Sequence, residues 1–243
     1  MTRQPTATDL TPYRKSLWRI IEGQARSSTL RLVDTFDEHD LLEAMLEDAK
    51  PPVPKECAHL DYQFWSPFRY GLYPTSSRFR RAGKTPGVWY GSEEPLTAMA
   101  ETIWGNLRFY SASPGTPFPR KPVEYTGVQA DIASPFSLDL TAQPWSEDPA
   151  WMEPDDYEPC LKLAEHARAA GAEIVRYASV RHPDHSPNAA VLTCTAFQQA
   201  APIGLQSWGV LYRNEAVRAY CETTRQRYML VKDQTKLAFY SAE

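Results

Sequence analysis

Apolar positions recur at two spacings along this chain, and the change of spacing divides it. Leu41, Leu42, Met45, Leu46 and Ala49 fall at helical intervals, which lays one apolar stripe along a helix. Thr35-Phe-Asp-Glu38 has the spacing of a capping box at its start. Pro51-Pro-Val-Pro54 stops it. A shorter apolar-basic stretch, Tyr13 to Arg26, reads as a second helix. Residues 1–60 are therefore expected to form a helical N-terminal extension. Packing, dimerisation and partner binding all stay open as its role.

From residue 61 to 243 the pattern is mixed and reads as one domain. Tyr62 to Tyr70 is aromatic and reads as extended. Gly87-Val-Trp-Tyr-Gly91 predicts a short strand. Glu94-Pro95 opens a helix with Pro at its first position. Leu96, Met99, Ala100, Ile103, Trp104 and Leu107 give that helix its apolar face. Val123 to Ile132 predicts a strand, and the Pro-rich, acidic stretch Ser134 to Pro159 a loop. Leu161 to Ala170 predicts a helix closed by Gly171. Glu173 to Arg181 and Ala189 to Ala196 are β-like, and Ile203 to Tyr240 holds at least two more strands. The class is α+β.

Composition narrows the function classes. The 243 residues are 42% apolar and 12% aromatic, enough for a core and against global disorder. The 26 basic and 30 acidic residues leave a formal charge of −4, which argues against direct nucleic-acid binding. Of the basic residues 18 are Arg, the better group for planar, bidentate contacts to an anion, although Arg usage also follows genomic base composition. Cysteines stand at 57, 160, 194 and 221 with no Cys-x-x-Cys pair, so reduced thiols in a cytoplasmic protein are expected. No apolar run is long enough for a membrane span, and Met1 to Leu10 lacks a secretory apolar stretch.

Three clusters carry candidate chemistry. Arg69, Arg78, Arg80 and Arg81 lie within thirteen residues among aromatics. They suit either a guanidinium clamp on a diphosphate or a solvated basic loop. Tyr90 precedes Glu101 by eleven residues. On a helical wheel Glu101 sits about 120° from the centre of the apolar stripe, flanking the buried face together with Thr97 one turn earlier. Ser179 stands near the end of Ile174 to Arg181, with Asn188 in the loop that follows. A Gly-x-Ser-x-Gly elbow is absent, so Ser179 reads as a hydrogen-bonding residue. His182-Pro-Asp-His185 offers metal-ligand types without a third or fourth ligand, and no metal is expected. Phosphate-loop and Rossmann glycine patterns are also absent.

In this order the pieces resemble the RES-domain toxin family of bacterial toxin–antitoxin pairs. The resemblance runs from about Phe64 to Phe197. It rests on Phe-Arg-Tyr at 68–70, Ser-Arg-Phe-Arg at 77–80, Gly-Val-Trp-Tyr-Gly at 87–91, Leu-Thr-Ala-Met-Ala-Glu at 96–101 and Arg-Tyr-Ala-Ser-Val-Arg at 176–181. It implies an ADP-ribosyltransferase-like fold, a mixed sheet split around an NAD cleft with flanking helices. It implies cleavage of the nicotinamide–ribose bond of NAD as substrate, with water, phosphate or a protein side chain as acceptor. A toxin that depletes NAD, a mono-ADP-ribosyltransferase with one protein target, and an inactive interaction module are its three versions. Residue by residue, the resemblance makes Arg69, Tyr90, Glu101 and Ser179 catalytic. Tyr70, Arg78, Arg80, Thr97 and Asn188 would bind NAD, and which arginine is principal stays open. A cognate antitoxin, commonly with a helix-turn-helix region, is the implied partner.

Overall fold

The computed structural model describes residues 3–23, 32–113, 115–233 and 236–241. Their centre is a long strand, β3 (Val123–Asp139). Along one edge it pairs antiparallel with β1 (Thr11–Glu22), from Thr11 opposite Ser137 to Glu22 opposite Tyr125. Its other edge is shared. The first half takes β6 (Gly204–Tyr212) antiparallel, and the last three residues take β4 (Ile174–Ala178) parallel. The sheet is therefore mixed, and it divides at β3. Beyond β6 lie β7 (Val217–Cys221), β8 (Gln226–Asp233) and β9 (Lys236–Ser241). Beyond β4 lie β5 (Pro187–Val191) and β2 (Trp89–Ser92). Strand β2 returns to β1 through a single pair, Trp18 opposite Ser92.

The expected helix over Tyr13 to Arg26 is corrected where it is described: residues 11–22 are β1, a full member of the sheet formed by the later strands, and residues 24–26 lie outside the described residues. Trp18, Ile20 and Ile21 are aromatic and β-branched residues suited to a pleated surface. Leu17 is fully buried there. The N-terminal region is thus not a helical extension, although its second predicted element forms as α1 (Phe36–Asp48), with both halves of the Thr35/Glu38 capping box made.

A second correction concerns Tyr62 to Tyr70, which is the helix α2 (Tyr62–Arg69), not an extended segment. Asp61 caps it by accepting a hydrogen bond from Gln63 N at 2.9 Å. Pro67 sits inside and cannot donate to the carbonyl of Gln63. The Trp89 indole N–H takes that carbonyl instead, at 3.1 Å, which locks α2 onto β2. The same approach explains Gly87, where a Cβ would overlap the Pro67 carbonyl oxygen.

Helix α3 (Pro95–Ala112) forms as its apolar spacing predicts, burying Met99, Ile103 and Trp104. Their partners are Trp208 and Val210 of β6 and Leu230 of β8. Each such side chain contributes about 1.5–3 kcal/mol of burial. Helix α4 (Glu158–Ala169) ends as expected at Gly171, with φ of +90°. Gly171 N bonds Arg168 O and Ala172 N bonds Ala167 O, the paired closure that a left-handed glycine permits. The Ser134 to Pro159 loop begins later than expected, since β3 runs on to Asp139.

The expectation of reduced thiols is also corrected for one pair. Cys57 and Cys194 are joined in a disulfide with Cα atoms 5.3 Å apart, while Cys160 and Cys221 are buried free thiols. Among the described residues no helix is long and apolar enough to cross a membrane.

Candidate active site

Past the Trp18–Ser92 pair, β1 and β2 are no longer bonded to each other, and a cavity of about 320 Å³ opens there. Glu101 reaches it from α3, Tyr90 and Ser92 from β2, Asn188 from β5, and Trp18, Arg19 and Ile20 from β1. Arg78, Tyr157, Tyr177 and Arg181 complete the walls.

Glu101 is the best-held group in it. Its Oε1 accepts from Ser179 Oγ at 2.6 Å and from Asn188 Nδ2 at 2.9 Å. Asn188 is oriented in turn by Ser92 Oγ, which donates to Asn188 Oδ1 at 2.6 Å. Ser179 follows the last residue of β4 and is fully buried. Its oxygen also accepts the backbone N–H groups of Arg181 and His182 at 3.2 and 3.1 Å. The chain Ser92–Asn188–Glu101–Ser179 therefore links two strands, a strand end and a helix, and it fixes one carboxylate oxygen. Tyr177 lies beside this charge; burial, followed by Glu101, raises its hydroxyl well above the ordinary range.

Tyr90 lines the cavity with its ring, but its hydroxyl is engaged elsewhere. It accepts from Phe79 N at 3.0 Å and bonds Ser77 Oγ at 2.9 Å. Burial raises its pKa despite those bonds. This contact carries the Ser77–Phe79 segment to the cavity, and with it Arg78. The Arg78 guanidinium donates to the Trp151 carbonyl at 3.1 Å and lies over the Tyr157 ring at 4.7 Å.

The other expected ligands lie elsewhere. Arg69 does not reach the cavity. Its Nε donates to Pro51 O at 2.6 Å and its Nη1 pairs with Glu47 at 2.7 Å, because α2 turns it towards the end of α1. Arg80 stacks on Tyr73 at 4.0 Å and donates to Thr75 O. Tyr70 is exposed and meets Tyr73 edge-on. Thr97 is fully buried, and its hydroxyl has no hydrogen-bond partner. Arg81 is tied to Glu158 and Glu165.

Two cavity arginines were not among the sequence-derived candidates. Arg181 lies over the Trp104 ring at 4.5 Å and donates to the Pro154 carbonyl. Arg19 is the sharper case. Its Nη1 is buried without a hydrogen-bond partner, and burial brings its pKa down to about 10. Arg19 also lines a second, neighbouring cavity of about 650 Å³ with Tyr62, Gln63, Tyr125 and Trp208. It thus stands where the two cavities meet, as a cation suited to an anionic group in a long ligand. The signal that could have found it is the run Leu-Trp-Arg-Ile-Ile, a strand-like segment with one internal charge. Among the described residues no group of three or more His, Cys, Asp and Glu could hold a metal ion.

Residues 53–212 match the family model of the RES domain. The chain belongs to the RES domain family. Its RES match starts after β1, so Arg19 lies outside it, whereas Glu101, Ser179 and Asn188 lie within it. No curated protein matches this RES protein. Among solved structures it is similar to a chain of the M. tuberculosis MbcT-MbcA toxin-antitoxin complex, with a TM-score of 0.46 and 11% identity, over 82% of this chain and 89% of that one.

Proposed function

We propose that this RES protein is the toxin of a toxin–antitoxin pair and cleaves the nicotinamide–ribose bond of NAD in the Glu101 cavity, on an ADP-ribosyltransferase-like fold. The observation that carries this reading is the carboxylate held on one oxygen by Ser179 and Asn188. With Oε1 so engaged, Oε2 is the oxygen left for substrate in this reading. Breaking the bond between the ribose carbon and the nicotinamide nitrogen sends the electron pair to nicotinamide and leaves positive charge on the ribose, as in glycoside hydrolysis. A preorganised carboxylate stabilises that charge without reorganising. Arg19, assisted by Arg78 and Arg181, holds the diphosphate, and the Tyr90 ring packs on the nicotinamide half.

The acceptor then attacks the ribose carbon. Water gives ADP-ribose and a proton, phosphate gives a phosphorylated ADP-ribose, and a protein side chain gives a modified protein. This reading assigns the activity to the cytoplasm, where NAD and an antitoxin partner would both meet it. The test is nicotinamide release by the purified protein with NAD, with and without phosphate and lysate, beside Glu101→Gln. Release that depends on Glu101 supports the reading, and the stimulating additive names the acceptor. Equal release by the variant removes Glu101 from the chemistry. No release under any condition leaves an inactive binding module.

A further inference from the structure

Helix α1 stands apart from the catalytic cavity, and none of its side chains is buried. Only His39 and Leu42 are half-buried. Leu41 and Met45, one turn apart on the same face, are each 62% exposed, and Leu46 beside them is 41% exposed. A short helix with so little packing is marginal in water, yet this one is capped at its start and anchored to the body at its end. At its start Thr35 Oγ1 accepts from Glu38 N, and Glu38 Oε2 accepts from Asp34 N and Thr35 N. At its end the Arg69 guanidinium, whose side chain is 5% exposed, pairs with Glu47, bonds Pro51 O and stacks on Trp65 at 5.3 Å. The apolar stripe is thereby presented in a fixed place.

The charge around the stripe says what covers it. Asp37, Glu38, Asp40, Glu43, Glu47 and Asp48 give the helix six carboxylates and no Lys or Arg, in a chain whose net charge is only −4. Nucleic acid and anionic lipid headgroups are repelled by such a face. A second copy would set one acidic helix against another. We propose that α1 is the docking surface for an amphipathic helix of a partner protein, with an apolar stripe flanked by Lys and Arg. The stripe packs on Leu41, Met45 and Leu46, and the basic flanks meet the carboxylates not used in the cap or by Arg69, those of Asp37, Asp40, Glu43 and Asp48. This inference does not depend on the NAD chemistry, which uses none of these residues.

The probe is a synthetic amphipathic peptide of about four helical turns, with leucines on one face and flanking lysines, and a control with glutamates in place of the lysines. Binding to the full chain is read by fluorescence anisotropy at low and high salt. The variant is Leu41→Ser with Met45→Ser, both at exposed positions, and it is checked for unchanged Tm. The lysine peptide is expected to bind the wild type, to bind the variant at least about tenfold more weakly, and to weaken with salt, while the glutamate peptide does not bind. No binding, or equal binding to wild type and variant, overturns the proposal. So does sedimentation showing a wild-type dimer that the variant converts to monomer, because a second copy then covers the stripe.

Discussion

The Ser179 hydroxyl donates to Glu101 Oε1 across 2.6 Å while accepting two backbone N–H groups from the turn that follows β4. One side chain therefore closes that turn and aims the carboxylate. Ser179→Ala removes both functions. A hydrogen bond to a charged group is worth about 1.5–3 kcal/mol, so kcat for nicotinamide release should fall roughly tenfold to a hundredfold with little change in KM. The two buried N–H groups left unpaired should cost about 1–3 kcal/mol in urea unfolding. A stable variant with unchanged kcat would show that Glu101 needs no such support.

Much of this site was legible because its residues sit on elements with clear local patterns. Glu101 flanks an unbroken apolar stripe on α3, and Ser179 stands at the end of β4. Asn188, expected in the loop, is instead on β5, which starts at Pro187 and pairs with both β2 and β4. Arg69 and Arg78 are only nine residues apart but meet different partners, Arg69 at the end of α1 and Arg78 at the cavity, because Asp61 and Pro67 shape a short helix there. Sequence proximity carries no information about that turn. Strand β1 was hidden for another reason. Leu17, Trp18, Ile20 and Ile21 have neighbours on both faces and so lack clean alternation, and β1 gains its order by pairing with β3, more than a hundred residues later. Arg19 could not be placed in the cleft without that pairing.

Arg19 and Arg69 should consequently separate binding from stability. Arg19→Ala removes a cation whose pKa burial brings down to about 10, below the ordinary guanidinium range. Its loss relieves that desolvation, so Tm should hold or rise, while KM for NAD rises and the signal from a bound ADP-ribose probe weakens. Arg69→Ala breaks the contacts to Pro51, Glu47 and Trp65. It should lower stability by about 1–2 kcal/mol and leave KM unchanged. Parallel thermal melts and nicotinamide-release kinetics read both. A rise in KM for Arg69→Ala with no rise for Arg19→Ala would reverse the assignment.

His182 gives a pH signature. It is buried in the turn after Ser179, its Nδ1 accepts from Asp184 N at 3.2 Å, and burial lowers its pKa below the ordinary 6.5. Between the folded value and 6.5 the unfolded chain holds a proton that the folded chain refuses. Stability should therefore rise with pH through that window, stay level above it, and be lost as pH falls. His182→Asn keeps an acceptor for Asp184 N without a titrating group. The urea midpoint of the wild type should fall on acidification below about pH 6.5, and that of the variant should fall less. Identical slopes would mean that other groups govern acid unfolding.

The Cys57–Cys194 bond joins residues 137 apart in sequence, tying the turn before α2 to the turn after β5 beneath the stacked rings of Phe64 and Phe197. In the chain-entropy account a loop of this length is worth up to about 4–5 kcal/mol. Reductant should therefore lower the urea midpoint of the wild type, and Cys57→Ala should match the reduced wild type in either condition. The cavity walls carried by α3, β4 and β5 do not run through this bond, so nicotinamide release at low temperature should survive reduction. Thiol titration of protein purified without reductant provides the independent check. Two reactive thiols on unfolding indicate that the bond is formed, because Cys160 and Cys221 are the remaining pair. Four reactive thiols, with no effect of reductant on the midpoint, indicate that Cys57 and Cys194 pack side by side as reduced core residues.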